Sequence, residues 1–483
     1  MRNKNLQKEI ISGSFWSIFG QFASLLVVLV TNIWLARLLS PSEFGQIGVI
    51  MFFITIMSVL TESGLGGALV RNKTASLLDY STAFVTNLVF SIGVFLGICI
   101  FADNIAHFYN DEELKSLLVV SSTVILINAF QISQNAKLVS DLRFKQKYVY
   151  KFVATVLASV VAIILAFYNW GVWSLVALQI LNSLAYTVLL FVFEGAYLSF
   201  RFSKESIKKM GAFGVNTTVS SLLNSVFDNI YQLALAKYFS MGQTGNFYQA
   251  KRLQDVPGGV LNVVSQGVIF SSLAKLQDDK PEFIRLYQKI GSYFAVLLGL
   301  ITIVFYVYAE SIINILLGPK WTDAVYFIKL LSIASFFYMQ ETFNRVIFKV
   351  YDRTQYILLV DILKKSVQGV TIAVGIYYLS LEILIYGLVA SSVIGYVANV
   401  LATRQILKFD RQWELTTIFK ILLVSCVIIS VALSVFKILN LDIYWQVVTI
   451  PFVAFIYIIA MEICKVINIS SYLAFFRKNG KII

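Results

Sequence analysis

Four basic side chains lie close to long apolar stretches of the sequence: Arg37, Lys237, Lys251 and Arg252. Arginine and lysine are the usual protein partners of phosphate groups, because each presents a positive charge and several hydrogen-bond donors. Fixed cations in a low-dielectric cleft also attract anions from a distance. The four residues therefore predict a cavity for an anionic ligand. The alternative is that their long side chains reach lipid phosphates at the membrane surface.

Two of these cations, Arg37 and Lys237, lie in a stretch that the chain repeats. LARLLSPSEFG at 35–45 is matched by LAKYFSMGQTG at 235–245, an offset of 200 residues. Upstream of each copy, polar residues recur at the same offset of 200 residues, with a spacing that places them along one side of an α-helix. They are Gln21, Ser24 and Asn32 before the first copy, and Ser221, Asn224 and Gln232 before the second. The repeat predicts two copies of one helical bundle that face a shared hydrated cavity. A chance similarity between two membrane helices is the alternative.

Three acidic residues in predicted helices are candidates for coupling transport to H⁺ or Na⁺: Asp228, Asp255 and Glu341. A charge at the centre of a membrane helix costs about 2.5–3.5 kcal/mol on insertion scales, so it must face water or a partner. Asp255 precedes Pro257 and two glycines, which predict a kinked helix beside a cavity. Glu341 stands one turn from Arg345, so an intrahelical ion pair is its structural alternative. The sequence does not select among the three.

The elements that position these residues are membrane helices. Of the 483 residues, 58% are hydrophobic and 13% are charged, and the mean hydropathy is +0.78. Apolar runs long enough to cross a bilayer predict about fourteen spans in an all-α polytopic membrane protein. We expect two pseudo-symmetric six-helix lobes, at 1–200 and 201–405. Helices 13 and 14 and a basic cytoplasmic tail follow as an accessory segment at 406–483.

The distribution of lysine and arginine predicts the orientation of these spans. Successive connections between the spans are alternately rich and poor in lysine and arginine, as the positive-inside rule requires when both termini are cytoplasmic. The formal net charge of +13 follows from these short loops, which anionic lipids attract. Membrane lipids are therefore the expected partners of the cations, and no nucleic acid is needed to explain them.

Motifs for catalysis are not recognised in the sequence. It contains no phosphate-binding glycine loop, no metal-binding run and no evident nucleophile beside a base. We therefore predict a protein that is not an enzyme and that holds no cofactor or metal, apart from H⁺ or Na⁺ as a coupling ion.

Three motifs resemble those of Wzx-type polysaccharide flippases. LARLLSPSEFG is similar to the first-half signature of that family, and GNFYQAKRLQDVP followed by LAKLQDD resembles the second-half signature. SDLRFK, at 140–145, is similar to the cytoplasmic element after the fourth helix. These flippases form the polysaccharide transport branch of the multidrug, oligosaccharidyl-lipid and polysaccharide (MOP) exporter superfamily. The resemblance implies a two-lobed core of twelve helices with two extra helices.

The same resemblance implies an activity in the bacterial cytoplasmic membrane. Members carry an undecaprenyl-pyrophosphate-linked oligosaccharide from the inner to the outer leaflet by alternating access. The product would be O antigen, capsule or exopolysaccharide, with polysaccharide polymerase machinery as a further partner. A cation-coupled drug or metabolite antiporter of the same superfamily is one alternative, and it favours cavity carboxylates and aromatics over cations. A membrane-embedded polysaccharide polymerase or ligase is another, and it usually displays a large outer loop, which we do not find.

Overall fold

The computed structural model describes residues 2–62, 64–72, 74–195, 200–408 and 412–468, and most of them are helical. The α-helices, in chain order, are α1 (Arg2–Leu38), α2 (Pro41–Glu62), α3 (Leu65–Arg71), α4 (Leu77–Tyr109), α5 (Glu113–Ala129), α6 (Ile132–Ser140), α7 (Phe144–Phe167), α8 (Val172–Glu194), α9 (Lys204–Tyr238), α10 (Met241–Val264), α11 (Phe270–Ala274), α12 (Lys280–Val307), α13 (Ala309–Leu316), α14 (Ala324–Val350), α15 (Gln355–Tyr377), α16 (Leu381–Leu407), α17 (Gln412–Ile438), α18 (Ile443–Val448) and α19 (Ile450–Ile463). A π-helical turn separates α10 from α11, and a 3₁₀ turn precedes α14. No strand occurs among the described residues, and the predicted all-α fold class is confirmed.

Nine of the described helices are long and apolar enough to cross a membrane. Helices α5 and α6 add a tenth span if this pair, bent by 45°, is counted as one. Helices α9, α14 and α15 are also long, but they carry several ionisable residues within their length. Every predicted span overlaps a described helix or helix pair. The chain is a multi-pass membrane protein.

The helices form two compact units, Met1–Tyr248 and Gln249–Ile483. In the first unit, α7 packs between α1 and α8, and α9 packs against α2 and α4. In the second unit, α16 packs against α14 and α15, and α12 packs against α14 and α17. The lobe limits at residues 200 and 405 stay a prediction, and the basic tail beyond residue 468 lies outside the described residues.

The segment that leads into α9 is bound to α4 through backbone groups. Ser81 Oγ donates to the carbonyl oxygen of Arg201 at 2.7 Å and accepts a hydrogen bond from its N–H at 3.0 Å. Thr82 Oγ1 accepts from the N–H of Ser203 at 3.1 Å. Because buried backbone groups must be paired, these hydroxyls fix the path of the segment next to α4.

Both copies of the repeated motif fold as a helix, a serine cap and a second helix. Ser40 Oγ accepts the N–H of Glu43 at 3.4 Å, and the Glu43 carboxylate accepts the N–H of Ser40 at 2.6 Å. In the second copy, Ser240 Oγ accepts the N–H of Gln243 at 3.1 Å. The two reciprocal bonds of Ser40 and Glu43 form a capping box, whereas Ser240 caps α10 through its hydroxyl. Both serines satisfy an N–H group that the first helical turn leaves without a partner.

The two copies also contact each other within the first unit. Gly45 lies against the backbone carbonyl of Met241, and Gly245 lies against the backbone carbonyl of Pro41. The contacts are reciprocal, because Met241 and Gly245 are the counterparts of Pro41 and Gly45 at the offset of 200 residues. A Cβ atom at either glycine would overlap the facing carbonyl oxygen. The close approach of α2 and α10 therefore requires glycine at both positions.

A buried hydrogen-bond network joins α17 to the rest of the second unit. Glu414, in the first turn of α17, accepts hydrogen bonds from Asn344 Nδ2 at 2.8 Å and from the Tyr396 hydroxyl at 3.1 Å. The Tyr287 hydroxyl donates to Asn344 Oδ1. All four side chains are buried. The first of the two accessory helices is thus bonded to α14 and α16 at its beginning.

Replacing Glu414 with alanine is expected to lower the free energy of unfolding by about 1–3 kcal/mol, because buried donors on Asn344 and Tyr396 lose their acceptor. Thermal unfolding of the purified protein in detergent micelles measures the loss. Glu310→Ala, at an exposed position in the first turn of α13, is the matched control and should change stability little. Equal midpoints for the two variants would show that the network does not hold α17.

Candidate functional site

The predicted cation pair Arg37 and Lys237 lies at the ends of helices. Each residue is in the last turn of its helix, α1 or α9, where a positive charge complements the helix dipole. Arg37 is exposed and Lys237 is half-buried. Lys237 Nζ donates to the carbonyl oxygen of Phe108 and lies 4.5 Å from the centroid of the Phe108 ring. Lys237 therefore contacts the end of α4 in the first unit, and its predicted contact with a ligand stays a prediction.

The other predicted cavity residues differ in burial. Lys251 and Arg252 are neighbours on α10 in the second unit, and both are half-buried. Gln21 and Asn224 are exposed. Asn32 and Gln232, which correspond at the offset of 200 residues, are both 2% exposed. Their roles in substrate binding stay predictions.

The three acidic candidates for ion coupling are in unlike surroundings. Asp228 and Asp255 are exposed, whereas the Glu341 side chain is fully buried. Of the three, Glu341 alone therefore occupies a site where a carboxylate needs a charged partner, because an isolated charge is costly to bury.

Glu341 belongs to a network of four charges in the second unit. Its carboxylate pairs with Arg345 on the same helix, α14, and accepts a hydrogen bond from Lys364 Nζ of α15 at 3.1 Å. Arg345 also pairs with Asp361 of α15. The expected intrahelical ion pair of Glu341 and Arg345 is confirmed, and α15 extends it. Two acidic and two basic groups leave the network neutral, so the second unit satisfies these charges internally.

A cavity of about 870 Å³ lies within the first unit. We call it the first-unit cavity. Helices α2 to α9 line it, and it is wide enough for a small-molecule site, since such sites occupy roughly 300–1,000 Å³. Its polar or charged lining residues are Ser58, Thr61, Asn87, Asn128, Gln131, Asn135, Lys147, Lys151, Gln179, Asn182, Ser183, Tyr186, Thr218 and Ser221.

Hydrogen bonds orient the amide groups on one wall of this cavity. Ser183 Oγ donates to Asn128 Oδ1 at 2.5 Å, and Gln131 Nε2 donates to Thr187 Oγ1 at 2.8 Å. The Tyr186 hydroxyl donates to Asn135 Oδ1 at 2.5 Å. Because the carbonyl oxygens of both asparagines accept bonds from the protein, their Nδ2 groups are the atoms available to a ligand. This wall therefore presents hydrogen-bond donors.

Two further features of the cavity point to a polar ligand. Lys147 and Lys151 lie one turn apart on α7 and both line the cavity, so two positive charges adjoin it. Asn87 of α4 is 3% exposed, and its Oδ1 atom has no hydrogen-bond partner among the described residues. An unpartnered buried acceptor costs free energy, which a bound hydroxyl donor would recover.

The sequence indicated part of this site. The polar group Asn128, Gln131 and Asn135 stands out in apolar sequence, and Ser221 belongs to the repeated polar stripe. Lys147 counts among the basic residues that set the orientation, and with Lys151 it shows the i, i+4 spacing of one helix face. That spacing is the sequence feature that could have indicated a role for both lysines in lining a cavity. Ser221 apart, the first-unit cavity is lined by none of the residues that the sequence predicts for substrate binding, which are Arg37, Lys237, Lys251, Arg252, Gln21, Asn32, Asn224 and Gln232.

Comparison with known proteins identifies the family. A family model described as "Polysaccharide biosynthesis protein" matches residues 34–326, which is more than half of the chain. The succinoglycan biosynthesis transport protein ExoT of Rhizobium meliloti (strain 1021) is 24% identical over 317 residues, which make up 66% of this chain and 64% of ExoT. The lipopolysaccharide biosynthesis protein WzxC of Escherichia coli (strain K12) is 25% identical over 337 residues, 68% of this chain and 67% of WzxC. The chain thus spans about two thirds of the length of these relatives.

Solved structures show the same fold. The lipid II flippase MurJ in an inward closed conformation superposes with a TM-score of 0.72 at 14% identity, covering 97% of this chain and 99% of MurJ. An inward-facing multidrug transporter of the MATE family, in the MOP superfamily, gives a TM-score of 0.62 at 15% identity, covering 80% and 94% of the two chains. The resemblance to Wzx-type flippases is confirmed: the chain belongs to the polysaccharide biosynthesis protein family and has the fold of MOP superfamily transporters.

Proposed function

We propose that the protein is a flippase that moves an undecaprenyl-pyrophosphate-linked oligosaccharide from the inner to the outer leaflet of the bacterial cytoplasmic membrane. The observation that carries this proposal is the first-unit cavity, which offers two lysines, amide donors and a buried acceptor within a set of apolar helices. A saccharide must exchange its water for such groups when it leaves the aqueous phase. Family membership and the relatives ExoT and WzxC, whose names refer to polysaccharide synthesis, support the same assignment.

The mechanism follows from the chemistry of such a substrate. The polar headgroup enters protein while the polyprenyl chain stays in lipid, and alternating access then exposes the headgroup to the other side. Because the membrane potential is negative inside, it favours outward movement of an anion by about 2.3 kcal/mol per charge per 100 mV. Glu341 is the acidic residue that we favour for coupling to H⁺ or Na⁺, because it is the buried one of the three candidates.

Deletion of the gene tests the proposal directly. We expect lipid-linked repeat units to accumulate on the inner leaflet and surface polymer to disappear, and a plasmid copy to restore both. Labelling of intact cells and of inverted membrane vesicles with a saccharide-specific lectin shows which leaflet holds the lipid-linked saccharide. Normal polymer with no accumulated lipid-linked saccharide would overturn the proposal.

The deletion strain also distinguishes the alternatives. A drug or metabolite antiporter would leave the polymer intact and raise sensitivity to a toxic compound. A polymerase or ligase would leave single repeat units on the outer leaflet, where lectin binds them on intact cells. The two lysines in the cavity favour an anionic substrate over the cationic drugs of an antiporter.

A further inference from the structure

We propose that the first-unit cavity is the binding site for an anionic saccharide headgroup, with Lys147 and Lys151 contacting its negatively charged group and Asn87 accepting a hydrogen bond from a sugar hydroxyl. This inference rests on the proposed function and names the residues that recognise the substrate. The negatively charged group is a diphosphate or the carboxylate of an acidic sugar. Both present charged oxygen acceptors of the same kind, and the test below distinguishes them.

The spacing of the two lysines suits a single charged group of a ligand. They are the fourth and eighth residues of α7, so their side chains leave the same face of the helix about 5–6 Å apart. Both lie within about 12 Å of the start of the helix, whose N-terminal end carries a partial positive charge. Two ammonium groups beside this end would hold one multivalent anion more tightly than two separate lysines.

Asn87 offers a hydrogen-bond acceptor, whereas the two lysines offer donors. This residue is the eleventh of α4 and lines the cavity, and its Oδ1 atom is buried and lacks a partner among the described residues. A sugar hydroxyl donates one hydrogen bond and accepts others. A saccharide carries several hydroxyls, so one would satisfy Asn87 Oδ1 while others accept from the Nδ2 groups of Asn128 and Asn135. A purely anionic ligand without hydroxyl groups would leave Asn87 unsatisfied, so the cavity fits a saccharide.

At the corresponding positions of the second unit, the side chains form ion pairs with one another and with a neighbouring lysine. At an offset of 210 residues, Gln131, Asn135 and Lys151 correspond to Glu341, Arg345 and Asp361. In the second unit, these positions pair with one another and with Lys364. In the first unit, they carry amides and a lysine and line a cavity. In the second unit, ion pairs within the protein thus satisfy the charges of this part of the repeat. In the first unit, the same part lines a cavity that a ligand can occupy.

Binding to the purified full chain in phosphatidylcholine nanodiscs tests the assignment. The probes are undecaprenyl diphosphate, undecaprenyl diphosphate bearing a neutral disaccharide, and a soluble trisaccharide of glucuronic acid. Affinity is measured from tryptophan fluorescence. The double variant Lys147→Gln/Lys151→Gln is compared with Lys145→Gln, which changes a lysine of the same helix that lies over the Trp16 ring and does not line the cavity.

We expect the double variant to bind at least one anionic probe about tenfold or more weakly, because it loses two charge-assisted contacts to the anion. Lys145→Gln should bind like wild type. A loss with undecaprenyl diphosphate identifies the diphosphate as the group at the lysines. A loss confined to the glucuronic acid trisaccharide identifies a sugar carboxylate. If wild type binds and the double variant binds every probe equally well, the lysine assignment is overturned while the proposed function stands.

Asn87 has its own measurement. Asn87→Leu is expected to reduce the preference for the disaccharide-bearing lipid over undecaprenyl diphosphate, and Asn87→Ala, which is smaller, should do the same. An unchanged preference in both folded variants would overturn the role of Asn87. If wild type itself binds none of the three probes, this inference is overturned, whereas the proposed function is decided by the deletion strain.

Discussion

Replacing Arg345 with methionine is expected to destabilise the second unit by about 3–5 kcal/mol, the usual effect of removing one partner from a buried ion pair. The Glu341 side chain is fully buried, and those of Arg345 and Asp361 are 20% and 23% exposed. Without the guanidinium, Asp361 loses the cation that it pairs with, and Glu341 keeps Lys364 alone. Thermal unfolding in detergent micelles measures the loss, which should be the largest among single changes in the network.

A second change separates charge imbalance from lost packing. In Arg345→Met/Asp361→Asn, the remaining Glu341 and Lys364 form a balanced pair, so we expect much of the lost stability to return. Arg285→Met is the matched control, because Arg285 pairs with Glu282 on the surface with 79% and 45% of the two side chains exposed. That change should cost no more than about 1 kcal/mol. If Arg345→Met and Arg285→Met unfold at the same temperature, the network contributes nothing to stability.

Replacing Gly245 with alanine is the second change with a large expected effect. The new Cβ atom would overlap the carbonyl oxygen of Pro41, and a backbone atom cannot move aside as a flexible side chain does. We expect a loss of about 2–3 kcal/mol in the free energy of unfolding, at the upper end of the cost of overpacking. Gly45→Ala should cost a similar amount, because the facing carbonyl of Met241 is equally close.

Two glycines of α4 serve as controls for this prediction. A Cβ atom at Gly93 or Gly97 would meet no atom within 4 Å. Alanine at these positions is expected to leave stability unchanged or to raise it by up to about 1 kcal/mol, because glycine disfavours a helix interior. Unfolding midpoints of Gly245→Ala and Gly93→Ala that agree would contradict a close contact between the two motif copies.

Much of the fold was predictable from the sequence, because its signals are local. Apolar runs determine where helices can cross a membrane, and Ser40 and Ser240 mark helix starts through bonds to residues three positions later. The pairing of Glu341 with Arg345 was also predictable, since one helical turn separates them. Each of these features depends on neighbours within a few residues along the chain.

The candidate site was harder to predict, because it depends on contacts between distant residues. Asp361 and Lys364 of another helix form ion pairs with Arg345 and Glu341. No spacing in the sequence predicts these contacts. Lys147 fits the positive-inside rule like any loop lysine, and only the packing of α7 against its neighbours places it beside a cavity. Asn87 is one of many single polar residues in apolar helices, and its missing partner is a property of three-dimensional packing.

The attachment of the segment before α9 has a consequence for engineering and for sequence comparison. Ser81 and Thr82 bind main-chain atoms of Arg201 and Ser203, and main-chain atoms are the same for almost every amino acid. The side chain of Arg201 is therefore free to diverge while the route of the connector is retained, so conservation scores at this position would understate its order. Ser203 is more constrained, because its own hydroxyl accepts the N–H of Ser206 and caps α9. Proline is the exception, because it has no N–H to donate at either position.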